Sequence, residues 1–521
     1  MDATLQKTLD KAWNSTCKVL LGQEIGPLSD YREWLEKYQL HGSKRKSSKS
    51  GKDVWFASGA YPANARVVSA DELEQNKGYS LSINQIKDID SILQAISEQY
   101  EYTGNRYLGN CAFIDSSDQL FDAQYVHNST NVQESMYVSS SFMIRKGSKY
   151  VFGSGFLGES EFMVRVVGTY NCKRALECYF MPDCSDAYFS HSCYGCHDIM
   201  FCFGKRSAMH AIGNLALPKE KYLQLKKKLL AEIAGWLMKE KDFPALFELV
   251  PAGLPKNPPS ISAKAEPPGD MKPVEEGFAS TCRVVLKKEL PGSIQDYEKW
   301  LSENTVLVKE AATPFGGETV YPEEFTVYPH FPAERRTNIR EMMALGKTVA
   351  LQEKEVESLK SVIKALPKIA YFTSEFEAGD NFNNILSICF HAVNSYKVYD
   401  ATYAENNAFG FMALHSKFTY GCNRPLETEF AIKCYNSVYL KRCLELDSCE
   451  KCADTYFSHN CEALSDCMFC FNLKGRRNHI GNTEFPKEKY AAVKDAVLEQ
   501  VVDELSRKKK LALNIYNVGE G

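Results

Sequence analysis

Residues 434–478 read CYNSVYLKR, CLELDSCEK, CADTYFSHN, CEALSDCMF and CFNLKGRRN, which are five rows of nine that each begin with cysteine. The first, fourth and seventh positions are small or apolar except in the last row, and the other positions hold most of the charge. A fixed period with a constant set of small residues is typical of a solenoid. The stretch therefore predicts a β-solenoid whose narrow interior accepts Cys, Ser, Thr, Ala and some Leu.

The row length suggests the size of one coil. Nine residues suit one short strand and a bend, at about 3.3 Å per strand residue. We therefore predict 9-residue half-coils and an 18-residue coil. Cys434, Cys452 and Cys470 would then stack on one wall about 4.8 Å apart, and Cys443 and Cys461 would face them. Because the inward spacing is three, the strands must be very short.

The same pattern occurs twice in the chain. Ser15–Cys17 recurs as Ser280–Cys282, and Pro218–Tyr222 recurs unchanged as Pro486–Tyr490. The offset is 265 near the start and 268 towards the end, so few insertions separate the copies. We predict an α+β fold built by tandem duplication. Each copy would contain a small α/β segment, a parallel β-solenoid and a C-terminal amphipathic helix.

The predicted boundaries follow from this pattern. Pro218 and Pro486 stand where the first turn of a helix tolerates proline, and apolar residues follow at helical spacing. An open coil exposes a strand edge, so we expect each helix to cover a solenoid end, with partner binding as the alternative. The units are 1–105 and 276–370 (α/β segments), 106–217 and 371–485 (solenoids), 218–248 and 486–521 (capping helices, the second with a basic tail), and 249–275 (proline-rich linker).

Composition limits the class of protein. The chain has 521 residues, of which 44% are hydrophobic and 25% charged, as in globular proteins. A net charge of −4 gives no general basic field for nucleic acid or anionic membrane. Because Met1–Leu5 lacks the pattern of a secretory signal, we expect a cytoplasmic protein. Its 18 cysteines should then be reduced thiols or metal ligands.

The cysteines have two interpretations. At an offset of 268, Cys178 corresponds to Leu446 and Cys196 to Leu464, which suits packing residues because leucine cannot replace a metal ligand. Packing predicts no cofactor. The alternative is a zinc or iron–sulfur site, because one set of four follows C-x2-C-x14-C-x2-C, close to the spacing of zinc ribbons. This set is Cys449, Cys452, Cys467 and Cys470.

A histidine precedes a cysteine by two residues in both copies, as His191 with Cys193 and His459 with Cys461. Such pairs could supply a nucleophile and its base. The repeat, however, places the histidine outside and the cysteine inside, and no third orienting group is identifiable. We therefore expect surface or turn histidines. Without a P-loop, GxGxxG, HExxH or GxSxG motif in a credible context, we expect no enzyme.

Two short basic segments stand out, and neither recurs in the other copy. Their interpretation as solvated loops competes with contact to a phosphate backbone, for instance of ribosomal RNA. Neither segment has the interleaved aromatic residues that would favour nucleic acid. The candidate contacts are Lys44, Arg45, Lys46, Lys49 and Lys52 in the first segment, and Arg507, Lys508, Lys509 and Lys510 in the second.

The end of the second repeat resembles a known pattern. Cys467–Asn478, followed by Pro486–Tyr490, is similar to the cysteine-rich repeat proteins of archaea and candidate-phylum bacteria. Their repeats end in Cys-x2-Cys-x2-Leu-Lys-x-Arg-Asn, followed by a helix start. The first copy departs from this phrase with Gly204–Ser207. The resemblance covers about 60 residues per copy, and it implies a solenoid-like fold but no particular activity.

Three functions fit these observations. The leading hypothesis is a non-enzymatic cytoplasmic scaffold that binds a protein partner or a second copy of itself. The second is a metal-binding protein that uses the four cysteines of the second copy. The third is a factor associated with RNA or the ribosome through the basic segments. The pattern indicates neither a membrane contact nor a small-molecule substrate.

Overall fold

The computed structural model describes residues 2–58, 60–74, 76–79, 81–261, 269–376 and 379–519. It is a mixed α/β fold dominated by long sheets of parallel strands. Within the described residues, no helix combines the length and the apolar character needed to cross a membrane. The N-terminal and C-terminal halves contain the same sequence of parts: a helix, a hairpin, a short helical segment, a solenoid and a long final helix.

The elements of the N-terminal half are α1 (Ala3–Leu21), α2 (Arg32–Glu36), β1 (Ser43–Lys46), β2 (Asp53–Phe56), β3 (Val67–Ser69), α3 (Ile89–Ile96), β4 (Tyr102–Gly104), β5 (Tyr107–Leu108), β6 (Ala112–Asp115), β7 (Asp118–Phe121), β8 (Gln124–His127), β9 (Thr130–Gln133), β10 (Met136–Ser139), β11 (Phe142–Arg145), β12 (Lys149–Phe152), β13 (Gly155–Gly158), β14 (Glu161–Val164), β15 (Val167–Tyr170), β16 (Lys173–Leu176), β17 (Ser185–Tyr188), β18 (His197–Met200), β19 (Met209–Ile212), β20 (Leu215–Ala216) and α4 (Lys219–Glu240).

The elements of the C-terminal half are α5 (Lys272–Leu286), α6 (Glu298–Leu301), β21 (Val308–Ala312), β22 (Glu318–Pro322), α7 (Ile339–Thr348), α8 (Leu359–Ala365), β23 (Ile388–Phe390), β24 (Val393–Tyr396), β25 (Tyr399–Thr402), β26 (Glu405–Ala408), β27 (Lys417–Tyr420), β28 (Glu429–Ile432), β29 (Lys441–Asp447), β30 (Ala453–His459), β31 (Ser465–Met468), β32 (Arg477–Ile480), β33 (Thr483–Glu484) and α9 (Lys487–Lys508).

Most coils of the solenoids contain twelve residues. In the second solenoid, Glu429 pairs with Lys441, Lys441 with Ala453, and Ala453 with Ser465, each step being twelve. The first solenoid has one coil of thirteen residues, where Met136 pairs with Lys149 and Phe142 with Gly155. The second solenoid begins with a coil of eleven, where Phe382 pairs with Val393. The predicted 18-residue coil of two 9-residue half-coils is therefore wrong. The inward spacing of three is correct. A coil of twelve residues then has four sides of three residues each. A cysteine spacing of nine corresponds to three of these sides.

Each side of the coil is a unit of three residues. One residue points inward, the next is extended and faces outward, and the third turns the corner with a positive φ angle. Asn128 and Asn131 supply corners in the first solenoid, and Asp454 and Asp466 in the second. Asn and Asp tolerate this left-handed conformation better than other non-glycine residues, which lose about 1–2 kcal/mol there. Because a corner occurs at every third residue, this conformational cost is repeated along the whole solenoid. The hydrogen bonds between strands must offset it.

Serine hydroxyls stabilise the interior along one wall. Ser141 donates to Ser139 O (2.8 Å) and accepts from Ser154 N–H (3.1 Å), which lies one coil above. Cysteine thiols replace the hydroxyl elsewhere: Cys449 donates to Ser458 O at 3.4 Å, and its Sγ accepts the N–H of Cys461 at 3.4 Å. The cysteines thus fill a narrow interior and contact its backbone, which favours the packing interpretation.

Helices cover the outside and one end of each solenoid. The helix α1 crosses β8, β10, β12, β14 and β16, and α5 crosses β24 and β26 to β29. The long helices α4 and α9 pack against β19 and β32, which are the last parallel strands. At these ends the sheets close with antiparallel strands, β20 beside β19 and β33 beside β32. The final helices therefore lie where a covering for the solenoid end was expected.

The two halves exchange segments. The residues of the N-terminal half between β2 and β4 pack into one core with α5, the second solenoid and α9. Conversely, residues 320–376 of the C-terminal half pack into one core with α1, the first solenoid and α4. Matching hydrogen bonds mark both contacts: Asn214 donates to Val349 O and Asn482 to Lys77 O, and Glu232 accepts from Leu359 N–H and Gln500 from Ile89 N–H. Neither half completes its core alone.

The serine wall can be tested by substitution. Ser141→Ala removes a buried hydroxyl and leaves Ser154 N–H without this acceptor, so we expect a loss of about 1–3 kcal/mol in the free energy of unfolding. Ser207→Ala, at an exposed corner, should change it by less than about 0.5 kcal/mol. Urea unfolding of both variants measures the difference, and equal stabilities would contradict a structural role for the hydroxyl.

Candidate functional site

The four cysteines of the proposed metal site lie inside the second solenoid but not around one point. Cys449 and Cys467 are separated by one and a half coils, because one coil holds twelve residues. At about 4.8 Å per coil, they are about 7 Å apart along the axis. A tetrahedral zinc with Zn–S bonds of about 2.3 Å holds its sulfurs within about 4.6 Å of one another. The twelve-residue coil therefore separates ligands that an 18-residue coil would have stacked.

The thiols of these cysteines already have partners. Cys449 Sγ lies 3.4 Å from Asp447 O as well as from Ser458 O. Cys452 donates to Glu450 O at 3.3 Å, and Cys470 to Met468 O at 3.4 Å. Burial raises the pKa of the Cys449 thiol, which disfavours the thiolate that binds metal. Among the described residues, no three or more His, Cys, Asp or Glu side chains form a group able to hold a metal ion.

The histidines kept in both halves join one half to the other. His191 Nε2 accepts from Thr373 N–H at 2.9 Å, and His459 Nε2 accepts from Thr103 N–H at 3.0 Å. Both histidines are fully buried, so the expectation of surface or turn histidines is wrong. Cys193 and Cys461 point into the coils and donate to the carbonyls of these histidines. Neither predicted pair brings a thiol to an imidazole, since the two side chains lie on opposite sides of the strand.

The two histidines differ in what their second nitrogen meets. His459 Nδ1 lies 2.9 Å from the Asp447 carboxylate, which also accepts from Tyr61 Oη at 2.6 Å. At the matching position the first solenoid has Tyr179, and His191 Nδ1 is buried with no hydrogen-bond partner among the described residues. Burial lowers the pKa of His191 to about 3 and also lowers that of His459. Both imidazoles are therefore neutral structural groups at pH 7.

The first basic segment begins in β1 and continues through the loop that joins β1 to β2, so the prediction of a loop is correct only for Lys49 and Lys52. Lys44 and Lys46 pair with Asp53 at 2.7 and 2.6 Å, Lys49 pairs with Glu101 at 3.0 Å, and Lys52 pairs with Asp71 at 2.5 Å. Arg45 donates to Pro62 O. Cations that already have carboxylate partners add little to phosphate binding, because they release few counterions.

The second basic segment ends α9. Arg507 donates to Asp503 O at 3.2 Å and Lys508 pairs with Glu504 at 3.1 Å. Lys509 donates to Pro291 O and to Tyr297 Oη. Lys510 is exposed. Contact with nucleic acid through these segments stays a prediction, and the geometry gives it little support.

A cleft of about 870 Å³ lies between the two solenoids. The solenoids pass one another in opposite directions, since Gln119 donates to Ser448 and Arg424 donates to Asn131. Corner residues of both solenoids form the walls, and the segment around β3 closes one side. The lining includes Leu108, Leu120, Phe121, Met412, Leu414, Leu426 and Val438 among apolar residues, and Arg145, Arg424, Asn131, Asn436, Asn460 and Asn472 among polar ones.

Positive charge in the cleft is only partly neutralised. Arg106 is paired with Asp118 at 2.6 Å, and Lys474 with Glu462 at 2.7 Å. Arg424 and Arg145, in contrast, form no ion pair with any described residue. Burial and the nearby charge of Arg145 lower the pKa of Arg424 to about 9. The cleft therefore combines an apolar lining with two guanidinium groups that lack a carboxylate partner.

Sequence reasoning did not find this site, because its residues occupy outward corners of two distant segments. One signal was present. Arg145 lies at the single thirteen-residue step of the first solenoid, where Lys146 and Gly147 interrupt the regular period. Irregular insertions in a repeat, like bulges in a sheet, often mark functional sites. The Arg424 corner carries no comparable signal.

Comparison of the chain with protein-family models, with curated proteins and with solved structures gives no match. The function must therefore be inferred from the chain itself.

The state of the thiols gives a direct test of the packing interpretation. All 18 cysteines are free, and only Cys111 is partly exposed. Burial raises the pKa of Cys172 to about 11 and of Cys202 to about 12, so their thiols resist reaction. We expect Ellman's reagent to modify one thiol quickly in the native protein and all of them after unfolding. Cys111→Ser should remove the fast phase.

Two results would contradict this expectation. One is fast modification of several thiols in the native protein. The other is a chelator that exposes further thiols or lowers the melting temperature, which would restore the metal interpretation of Cys449, Cys452, Cys467 and Cys470.

The buried His191 predicts a pH-dependent loss of stability. Its folded-state pKa of about 3 lies below the usual value of about 6.5, so the unfolded state binds more protons between these values. Stability should fall as pH falls through this window, by about 2 kcal/mol from His191 between pH 6.5 and 5. His191→Gln should remove this part of the dependence, and His197→Gln, at an exposed position, should not. Identical pH profiles for both variants in urea unfolding would contradict it.

Proposed function

We propose that the protein is a non-enzymatic binding protein whose ligand site is the cleft between its two solenoids. The observation that carries this proposal is a cleft of about 870 Å³ containing arginines without ion-pair partners. Its volume lies in the range of about 300–1,000 Å³ that is usual for small-molecule sites. The apolar lining with a few polar groups is also usual for such sites. The sequence favoured a protein partner, whereas the dimensions and lining of the cleft favour a small molecule.

The lining supports binding rather than catalysis. Its residues, all of them described, include no histidine. Its two carboxylates are paired, Asp71 with Lys52 and Glu450 with Lys451. The Ser448 hydroxyl accepts from Arg106 and from Gln119, which are donors rather than bases. A nucleophile with an adjacent base, which acyl or phosphoryl transfer through the protein would need, is therefore not assembled there.

We infer that the cleft exists because two similar units were joined in tandem. Support comes from residues 268 apart that make matching contacts: Lys226 and Lys494 approach Asp198 and Asp466, and Arg174 and Arg442 pair with Asp186 and Asp454. The exchanged segments hold the solenoids beside each other. The free state of all 18 cysteines supports a reducing compartment such as the cytoplasm.

Filling the cleft tests the proposed function. Wild-type protein is incubated with the small-molecule fraction of a cell extract and analysed by native mass spectrometry. We expect a discrete adduct that Val438→Trp abolishes, because Val438 lines the cleft. Met209→Trp changes an exposed residue on the outer face and should keep the adduct. An adduct unaffected by Val438→Trp, or no adduct at all, would contradict the proposal.

A further inference from the structure

Arg424, which lines the cleft, has a guanidinium nitrogen without a hydrogen-bond partner among the described residues. Arg424 Nη1 donates to Asn131 Oδ1 and to Asn436 Oδ1. Its Nε is buried and has no hydrogen-bond partner among the described residues. An unpaired guanidinium nitrogen in a buried place is destabilising unless a ligand or water satisfies it. The unpaired N–H groups of this guanidinium suit an oxyanion, which a guanidinium binds through two parallel hydrogen bonds.

A second arginine adds to the unbalanced charge. Arg145 approaches from the first solenoid, and its charge lowers the pKa of Arg424. The positive charge of Arg145 also acts on Asp400, whose carboxylate accepts a hydrogen bond from Thr402 Oγ1 at 2.9 Å. Asp400 lies beyond ion-pair distance of Arg145. Two arginines that line one cleft, neither with an ion-pair partner among the described residues, can together stabilise an anion there.

Aromatic side chains fill part of the gap between the two solenoids. Phe325 from the C-terminal half inserts between the two solenoids. Its ring lies 6.0 Å from Phe142 of the first and 4.9 Å from Phe411 of the second. Tyr328 adds a contact to Tyr399 at 5.9 Å. Aromatic packing therefore closes one side of the gap and leaves the arginine side as a cavity.

The rest of the lining indicates what the anion would be attached to. Leu414, Leu426 and Val438 are partly exposed and offer apolar surface, and Phe121 has 41% of its surface accessible at the cleft. Amide side chains, such as Asn460 and Asn472, add neutral donors and acceptors. A bare inorganic ion would use the arginines but not the apolar surface.

We propose that the cleft binds a small organic anion, whose phosphate or carboxylate group lies between Arg424 and Arg145 and whose apolar body contacts the leucine and valine side chains. This inference rests on the proposed function. A nucleic acid is disfavoured because the rim lysines Lys52 and Lys474 are already paired with carboxylates.

Calorimetric titration and thermal melting with defined probes test the proposal. The probes are inorganic phosphate, phenyl phosphate and phenol, at constant ionic strength set with chloride. We expect phenyl phosphate to bind at least tenfold more tightly than inorganic phosphate, and phenol to bind weakly. Arg424→Gln and Arg145→Gln should each weaken phenyl phosphate at least tenfold. Arg442→Gln, an outer-face arginine paired with Asp454, should leave binding unchanged.

Melting without ligand separates a binding role from a structural one. If Arg424 serves a ligand, Arg424→Gln removes an unpaired charge, so its melting temperature should equal or exceed that of the wild type. Arg424→Lys keeps the charge but loses the paired N–H groups of the guanidinium, and it should bind phenyl phosphate with intermediate affinity. A large fall in melting temperature for Arg424→Gln, with binding by Arg424→Lys equal to the wild type, would overturn the proposal.

Other outcomes distinguish the two proposals. If the extract adduct depends on Val438 but is insensitive to Arg424→Gln and Arg145→Gln, the anionic ligand is wrong and the cleft function stands. Binding of a glutamate-rich peptide without binding of phenyl phosphate would overturn the small-molecule assignment. Equal weakening by Arg442→Gln would show a general charge effect and would also overturn it.

Discussion

The structure depends on a coil side that is only three residues long. Such a side allows one inward side chain, so four of them enclose a space that small residues must fill. Ser141 and Cys449 fill this space, and each side chain also forms hydrogen bonds with the backbone of its own or an adjacent coil. It also forces a left-handed corner every third residue. The interior then has no room for a ligand, and binding must use the outer surface or the space between solenoids.

The exchanged segments hold the two solenoids together in one structure. His191 and His459 each accept a backbone N–H from the other half, which explains in physical terms why both halves carry the histidine. Each solenoid also contains a buried ion pair of its own: Arg165 pairs with Glu177 at 2.5 Å, and Lys433 with Glu445 at 3.4 Å. Removing one member of such a pair would leave an uncompensated charge in the interior.

The differences between the halves matter more for function than their likeness. Asp447 completes the hydrogen bonds of His459, while Tyr179 leaves His191 Nδ1 without one. The aromatic insertion of Phe325 and Tyr328 fills one side of the gap between solenoids, and the other side keeps Arg424 and Arg145. The charged cleft therefore lies beside aromatic residues that the C-terminal half supplies.

The sequence by itself determined the narrow solenoid, the inward spacing of three, the final helices and the packing role of cysteines such as Cys178 and Cys196. These features depend on residues close together in the sequence, because they follow from which side chains fit a coil and where a helix begins. The tertiary structure decided the twelve-residue coil, since a cysteine spacing of nine fits any coil built from sides of three. It also decided the exchange of segments, the burial of His191 and the meeting of Arg145 with Arg424. These depend on contacts between residues far apart in the chain, which no local pattern encodes.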